Sequence, residues 1–255
     1  MNSPLADSLQ PRGQWGSAQA CQDDGVIMVA GVDGRRGGWV AAIVALPEAI
    51  NTASGTHAPA AELCSLSFHE SLTDLLASDV AVIAIDMPIG LTDGPRACDL
   101  AARKTLAPHG TRVFPAPPRA ALDHVEDYAA ACAAARHVMG KALSRQTWNL
   151  LRSIRYVDQL ADDPRLAECH PEVSFALMNG FPVDERKKTP AGREVRVQLL
   201  RRWLPDLADP LFGDDGLDAL ACAWSAARIA AGLAVTLPAG DVPRDDHQRP
   251  MRITA

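Results

Sequence analysis

The chain has 255 residues, of which 47% are hydrophobic and 22% charged, and its formal net charge at pH 7 is −6. These values are ordinary for a globular protein with one large domain. No apolar run has the length of a membrane span, and the N-terminus lacks the basic start and apolar core of a signal peptide. The six cysteines are scattered without a CxxC pair or a zinc spacing, so we expect reduced thiols and a cytoplasmic location.

A single domain is predicted over residues 25–240. Residues 1–24 and 241–255 are polar and aperiodic, so we expect a disordered leader and a flexible tail. Apolar runs predict the first strands and one short helix: strands 26–33, 39–46, 62–68 and 80–86, with a helix over 69–78.

From Gly94 onward the pattern becomes helical and basic, which predicts a helical insertion at about 94–165. Its helices are expected around 95–107, 124–139 and 145–161. A short strand running into a helix follows over 166–180, and Gly180 ends that helix. The remaining pattern predicts two amphipathic or buried helices and one short strand: 191–204, 215–232 and part of 233–240.

Two apolar strands end in a carboxylate. Asp33 ends "VAGVD" and Asp86 ends "VAVIAID". A carboxylate at the end of a buried strand is costly unless it is paired or bound to a metal, and strand ends are where α/β sheets build their sites. The alternative is that each Asp opens a turn, which suits Asp33 in its Asp–Gly pair better than Asp86.

The stretch "DDGLDALACAW" (214–224) begins the last helix. Asp214 or Asp215 suits a helix start, but Asp218 lies one turn further in. Asp215 and Asp218 share one face, where they repel each other unless a cation lies between them. Clustered carboxylates are the ligands that Mg²⁺ or Mn²⁺ prefers. Glu172 in "HPEVSF" has a stronger alternative, because it suits the first turn of a helix.

The ordered motifs of the chain resemble those of the domain of unknown function 429 family, described as predicted nucleases of the ribonuclease H-like superfamily. The resemblance spans about 26–232 and rests on six stretches: "VAGVDG…GGWVAAIV", "IAIDMPIGL", "RACDLAARKTL", "HPEVSFALMNG", "KKTPAGREVRVQLL" and "DDGLDALACAW". It implies an α/β fold of the ribonuclease H-like type. In that fold a mixed central sheet, with three antiparallel strands followed by parallel strands, is flanked by helices.

The resemblance also implies a site. The acidic residues of the superfamily correspond to Asp33, Asp86 and Asp218 as metal ligands, with Asp215 beside them, and they would hold Mg²⁺ or Mn²⁺. Glu172 lies in a motif of the narrower family and is assigned only a secondary catalytic role. Nuclease activity is itself inferred from the fold in this family.

Two basic segments suggest a polyanionic partner. Residues 95–155 and 186–202 together carry about twelve excess positive charges, although solvated helix faces explain either segment equally well. Nucleic acid is the expected partner, and the family motifs assign substrate contact to four cations: Lys187, Lys188, Arg196 and Arg103. Trp148 lies among cations at 141–155 and is twice as often a core residue as a stacking platform.

Three functions are compatible with these features. The leading hypothesis is a metal-dependent nuclease in which two ions assist phosphodiester hydrolysis. The second is a non-catalytic nucleic-acid or nucleotide-binding module on the same fold. The third is a small-molecule phosphotransfer enzyme, favoured if the glycine-rich turn at 31–38 holds phosphates. The oligomeric state stays open between a monomer and a homodimer, and we expect no membrane contact.

Overall fold

The computed structural model describes residues 25–47, 58–209 and 212–255; the predicted leader over 1–24 lies outside them. Its centre is a five-stranded mixed sheet in the order β3-β2-β1-β4-β5. β1 pairs antiparallel with β2, and β2 with β3, whereas β4 runs parallel to both β1 and β5. The strands are β1 (Val26–Arg35), β2 (Gly38–Pro47), β3 (Glu62–His69), β4 (Val82–Ile85) and β5 (Leu166–Glu168).

Helices cover both faces of this sheet, so the predicted mixed α/β architecture is confirmed at that level. Among the described helices, none is long and apolar enough to cross a bilayer. The α-helices are α1 (Thr73–Leu76), α2 (Ala97–Thr105), α3 (Tyr128–Met139), α4 (Arg145–Leu160), α5 (Pro171–Asn179), α6 (Pro190–Arg201) and α7 (Gly213–Ala230).

Most boundaries agree with the sequence prediction to within a few residues, but the helix expected over 69–78 does not. Only the single turn α1 forms there. Between β4 and β5 the predicted helical insertion contains α2, α3 and α4, together with two short 3₁₀ segments at Gly110–Arg112 and Arg119–His124.

The two faces of the sheet enclose separate apolar cores. Val29 on β1 and Ala84 on β4 point toward α5, α6 and α7, whereas Ala30 and Ile83 point toward α1, α3 and α4. This alternation follows from the two-residue period of a strand. It fixes which strand residues face α7.

Helix α7 lies unusually close to the central strand because β1 carries a glycine beneath it. A Cβ added to Gly31 would overlap the backbone nitrogen of Ala223 and the backbone oxygen of Ala219. Every α7 residue from Gly216 to Arg228 is buried. The small side chains of this helix therefore bring its backbone against the sheet.

Residues 241–255 differ from the flexible tail that the sequence suggested. They end in β7 (Ile253–Thr254), which pairs antiparallel with β6 (Thr236–Leu237), and Met251 and Ile253 are buried against α2. The buried Asp245 orders this segment, because its carboxylate accepts hydrogen bonds from the backbone N–H groups of His247 and Arg249. The hydrogen bonds to Asp245 thus hold residues 241–255 in place, although the few apolar residues of this segment had suggested a flexible tail.

Candidate functional site

Asp33 and Asp86 lie side by side at the carboxyl ends of two parallel strands. Val32 pairs with Ile85, and the backbone N–H of Asp86 donates to the carbonyl of Val32 at 2.9 Å. Asp33 lies two residues after Gly31, which lies under α7, and Asp86 lies two residues after Ala84. Side chains two residues apart along an extended chain point to the same face of the sheet. Both carboxylates therefore leave the sheet on the α7 face.

Helix α7 supplies the third carboxylate, Asp218, which directly precedes the Ala219–Ala223 segment that lies on Gly31. Asp218 is 3% exposed and Asp33 is 7% exposed, whereas Asp86 is half-buried. We call Asp33, Asp86 and Asp218 the carboxylate cluster. Asp215 lies at its rim, where it forms a half-exposed ion pair with Arg35 at 3.5 Å. The first turn of α7 begins without a side-chain cap from Asp214 or Asp215.

The electrostatics of the cluster reflect charge that is buried and incompletely compensated. Burial, followed by the charges of Asp218 and Asp86, raises the pKa of Asp33 well above its ordinary value. Burial also raises the pKa of Asp86 to about 6 and that of Asp218 to about 6. Buried carboxylates with raised pKa values often mark functional sites.

Lys187 reaches toward this cluster from its edge, with its ammonium on Asp218 and 40% of its side chain exposed. Its Nζ donates to Asp218 Oδ2 at 2.6 Å. Its charge lowers the pKa of Asp33, Asp86 and Asp218, although burial outweighs that effect. The sequence predicted that Lys187 contacts substrate; in the structure its ammonium is a counter-charge at the edge of the candidate site.

Glu172 and Arg196 form a buried framework beside the cluster. Arg196 is 1% exposed and binds Glu172 through Nη2 at 2.6 and 2.9 Å, and Arg112 Nη1 binds the same carboxylate at 2.8 Å. Arg196 is therefore too deeply buried for the substrate contact expected from the sequence. The Glu172 oxygens, expected to assist catalysis, are occupied by arginines.

His170 is a neighbour of the cluster that the sequence analysis did not select. Its Nδ1 is buried and has no hydrogen-bond partner among the described residues. Burial lowers the pKa of His170, and the charges of Glu172 and Asp218 act in the opposite direction. His170 directly precedes Pro171 at the start of α5. The only available signal was its place in "HPEVSF", where a histidine beside a helix start is unremarkable.

The loop after Asp86 is held by charged groups from three other segments. The backbone N–H of Ile89 donates to Glu168 at 2.7 Å, that of Leu91 donates to Asp245 at 3.1 Å, and Arg96 Nη1 donates to the carbonyl of Gly90 at 3.1 Å. These contacts fix the direction in which the chain leaves β4. They therefore position Asp86.

A second buried group, formed by Cys98, Asp99 and Glu168, is the one set of three metal-ligand side chains among the described residues whose atoms all lie within 4.8 Å. The guanidinium of Arg96 already bridges it, at 2.5 Å from Asp99 and 2.6 Å from Glu168. We interpret this group as a structural anchor. The carboxylate cluster is more open than 4.8 Å, as expected where like charges repel.

The basic segments contribute less free charge than their composition suggests. Arg119, like Arg96 and Arg112, is engaged in an ion pair inside the fold, and Arg103 donates to the carbonyl of Val113. Lys188 is exposed. Trp148 packs edge-on against Tyr128 beside the apolar core, which agrees with the core interpretation.

These features define a class: a mixed-sheet α/β protein with a buried carboxylate cluster, and a paired lysine, at the ends of adjacent parallel strands. The chain belongs to the family described as protein of unknown function (DUF429), whose model matches residues 31–242. The family resemblance recognised in the sequence is thereby confirmed. No curated protein and no solved structure matched the chain.

Proposed function

We propose that this protein is a divalent-metal-dependent nuclease that hydrolyses phosphodiester bonds in DNA or RNA. The observation that carries the proposal is the pairing of Asp33 and Asp86 at adjacent parallel strand ends, with Asp218 of α7 facing them. The strand order, three antiparallel strands followed by parallel strands, is compatible with a ribonuclease H-like fold. We propose the ribonuclease H-like assignment on this basis.

The donor set of the cluster suits Mg²⁺ or Mn²⁺, because both ions favour carboxylate oxygen ligands. Asp33, Asp86 and Asp218 would hold the ion, and the repulsion among their charges is what a cation would relieve. When bound, a divalent ion activates a water nucleophile and stabilises the leaving oxygen. Asp33, from the central strand, faces both other carboxylates and would orient the ion between them.

One of the alternative functions loses part of its support. A small-molecule phosphotransfer enzyme would be favoured if the glycine-rich turn at 31–38 held phosphates. Gly31 is instead covered by α7, and a Cβ on Gly38 would overlap the backbone of His69, so these two glycines serve close packing. A Cβ on Gly37, in contrast, would meet no described atom within 4 Å. A non-catalytic binding module on the same fold remains the competing outcome of the experiment below.

The test is hydrolysis of labelled single-stranded DNA, duplex DNA, RNA and RNA–DNA hybrid with Mn²⁺ or Mg²⁺. We expect Asp33→Asn to lower the rate at least about 100-fold, equivalent to ~2.7 kcal/mol of transition-state stabilisation. Asp209→Asn, whose side chain is 85% exposed, serves as the control with an unchanged rate. Oligonucleotide binding without metal-dependent cleavage would instead support the binding module.

A further inference from the structure

Lys187 is held in the candidate site by a built framework. It lies on the loop between α5 and α6, and three backbone carbonyls of that loop accept hydrogen bonds from arginines. Arg196 Nη1 donates to Glu185 at 3.1 Å, and Arg112 donates to Val183 and Asp184 at 2.5 and 2.8 Å. The loop that carries Lys187 is thus fixed beside Glu172.

The other acids near the cluster already have their own cations. Asp215 is paired with Arg35 at 3.5 Å, and Glu172 is paired with Arg196 and Arg112. Lys187 is paired with Asp218 at 2.6 Å. It is therefore the cation that the fold assigns to the carboxylate cluster itself.

Counting formal charges at the cluster gives a definite result. Three ionised carboxylates and one ammonium leave two negative charges, which one divalent ion neutralises. Two divalent ions would leave two positive charges in a buried position, and uncompensated buried charge is costly. A two-ion site would thus require Lys187 to leave Asp218.

We propose that the ammonium of Lys187 takes the place of a second cation, so that the cluster binds a single divalent ion. This inference rests on the proposed metal-dependent function and replaces the two-ion arrangement expected from the sequence. Lys187 is then a charge-balancing residue, whose fixed position supplies positive charge beside the ion. Removing the Lys187 ammonium should leave space and one uncompensated negative charge at the cluster, which favours binding of a second divalent ion.

The experiment measures Mn²⁺ binding to the full chain at low ionic strength. Titration calorimetry and the electron paramagnetic resonance signal of free Mn²⁺ give the number of bound ions and their affinity. We expect one Mn²⁺ per chain in the wild type. In Lys187→Met we expect two, or a first ion bound at least about tenfold more tightly, because the cluster gains one negative charge. Lys188→Met changes an exposed residue of the same loop and should bind Mn²⁺ with the same number and affinity as the wild type.

The outcomes separate the two proposals. Two ions in the wild type, or an unchanged number and affinity in Lys187→Met, would overturn the charge-balancing role and leave the metal site standing. No Mn²⁺ binding to the wild type would remove the metal site itself. Lys187→Arg keeps the charge and should retain one ion, so the comparison can still be made if Lys187→Met folds poorly. Two ions bound to Lys187→Arg would count against the proposal.

Discussion

Gly31 of β1 lies directly beneath Ala223 of α7, so close that any Cβ at position 31 would overlap the backbone nitrogen of Ala223. The contact joins the strand that carries Asp33 to the helix that carries Asp218. The gap between sheet and helix therefore sets the spacing of these two carboxylates.

Gly31→Ala should destabilise the protein by about 3 kcal/mol or more, because the obstructing atoms belong to the helix backbone and cannot rotate away. The expected fall in Tm is at least about 6 °C. Gly94→Ala is the control, since an added Cβ there meets nothing within 4 Å and should change stability by less than about 0.5 kcal/mol. Equal Tm values for the two variants would show that the helix can move off the sheet.

Asp86→Asn should stabilise the metal-free protein at pH 7. The pKa of Asp86 is about 6 when folded, above the ordinary value of 3.8, so the folded state binds the proton more tightly than the unfolded state. The contribution of Asp86 to the free energy of unfolding of the wild type is therefore highest below about pH 4 and is lost as pH rises through about 6. The gain in the variant should be up to about 3 kcal/mol at pH 7 and should vanish near pH 4.

Urea unfolding at several pH values with EDTA measures this gain as a difference from the wild type. The comparison is needed because His69 and His170, whose pKa values are lowered mainly by burial, change stability in the opposite sense. Asp209→Asn should show no such gain, since its side chain is exposed. A variant less stable than the wild type at pH 7 would make Asp86 a structural acceptor.

Arg196→Met should cost about 3–5 kcal/mol, because it leaves the buried carboxylate of Glu172 short of its main partner. The matched control is Arg152→Met, which removes an ion pair with Glu126. The side chains of Arg152 and Glu126 are 67% and 65% exposed. Exposed pairs contribute less than about 1 kcal/mol. Chemical denaturation measures both, and similar losses would contradict a framework role for Arg196.

Lys188→Ala should flatten the salt dependence of oligonucleotide binding by about one unit of log affinity against log salt. Lys188 is an exposed cation beside the candidate site, next to Lys187, whose ammonium is paired with Asp218. Arg202→Ala, at the other end of α6 and ~18 Å away along the helix axis, is expected to leave the slope unchanged. Fluorescence anisotropy over a salt series in EDTA provides the slopes, and equal effects would place the polyanion elsewhere.

The sequence predicted those parts of the site whose position is set locally. Asp33 lies two residues before the end of β1 and Asp86 directly follows β4, and parallel strands bring such ends together, so their proximity followed from two short apolar runs. Asp218 was recognisable because an acid one turn inside an apolar helix needs a reason. The central strands were found for the same local reason, because each is a short apolar run in the sequence.

Other features depend on contacts between distant segments, which a periodicity cannot reveal. The direction of Lys187 depends on Arg112 and Glu172, which are 60 positions apart. Arg196 was assigned to substrate contact from a family motif, yet its bidentate pairing with Glu172 holds it buried. The ordered segment at 241–255 depends on Asp245 and its four donors rather than on apolar content.

The anchoring of the Asp86 loop has a consequence for biosynthesis. The bond from Leu91 to Asp245 spans 154 positions, so strands β1 and β4 leave the ribosome long before the acid that anchors the loop between β4 and α2. At 5–20 residues per second, translation separates these events by roughly 10–30 s. During that interval the nascent chain can pair its strands and hold the loop after Asp86 through Arg96 and then Glu168, but it lacks the bond to Asp245. The last anchor of this loop therefore forms only when nearly the whole domain has been translated.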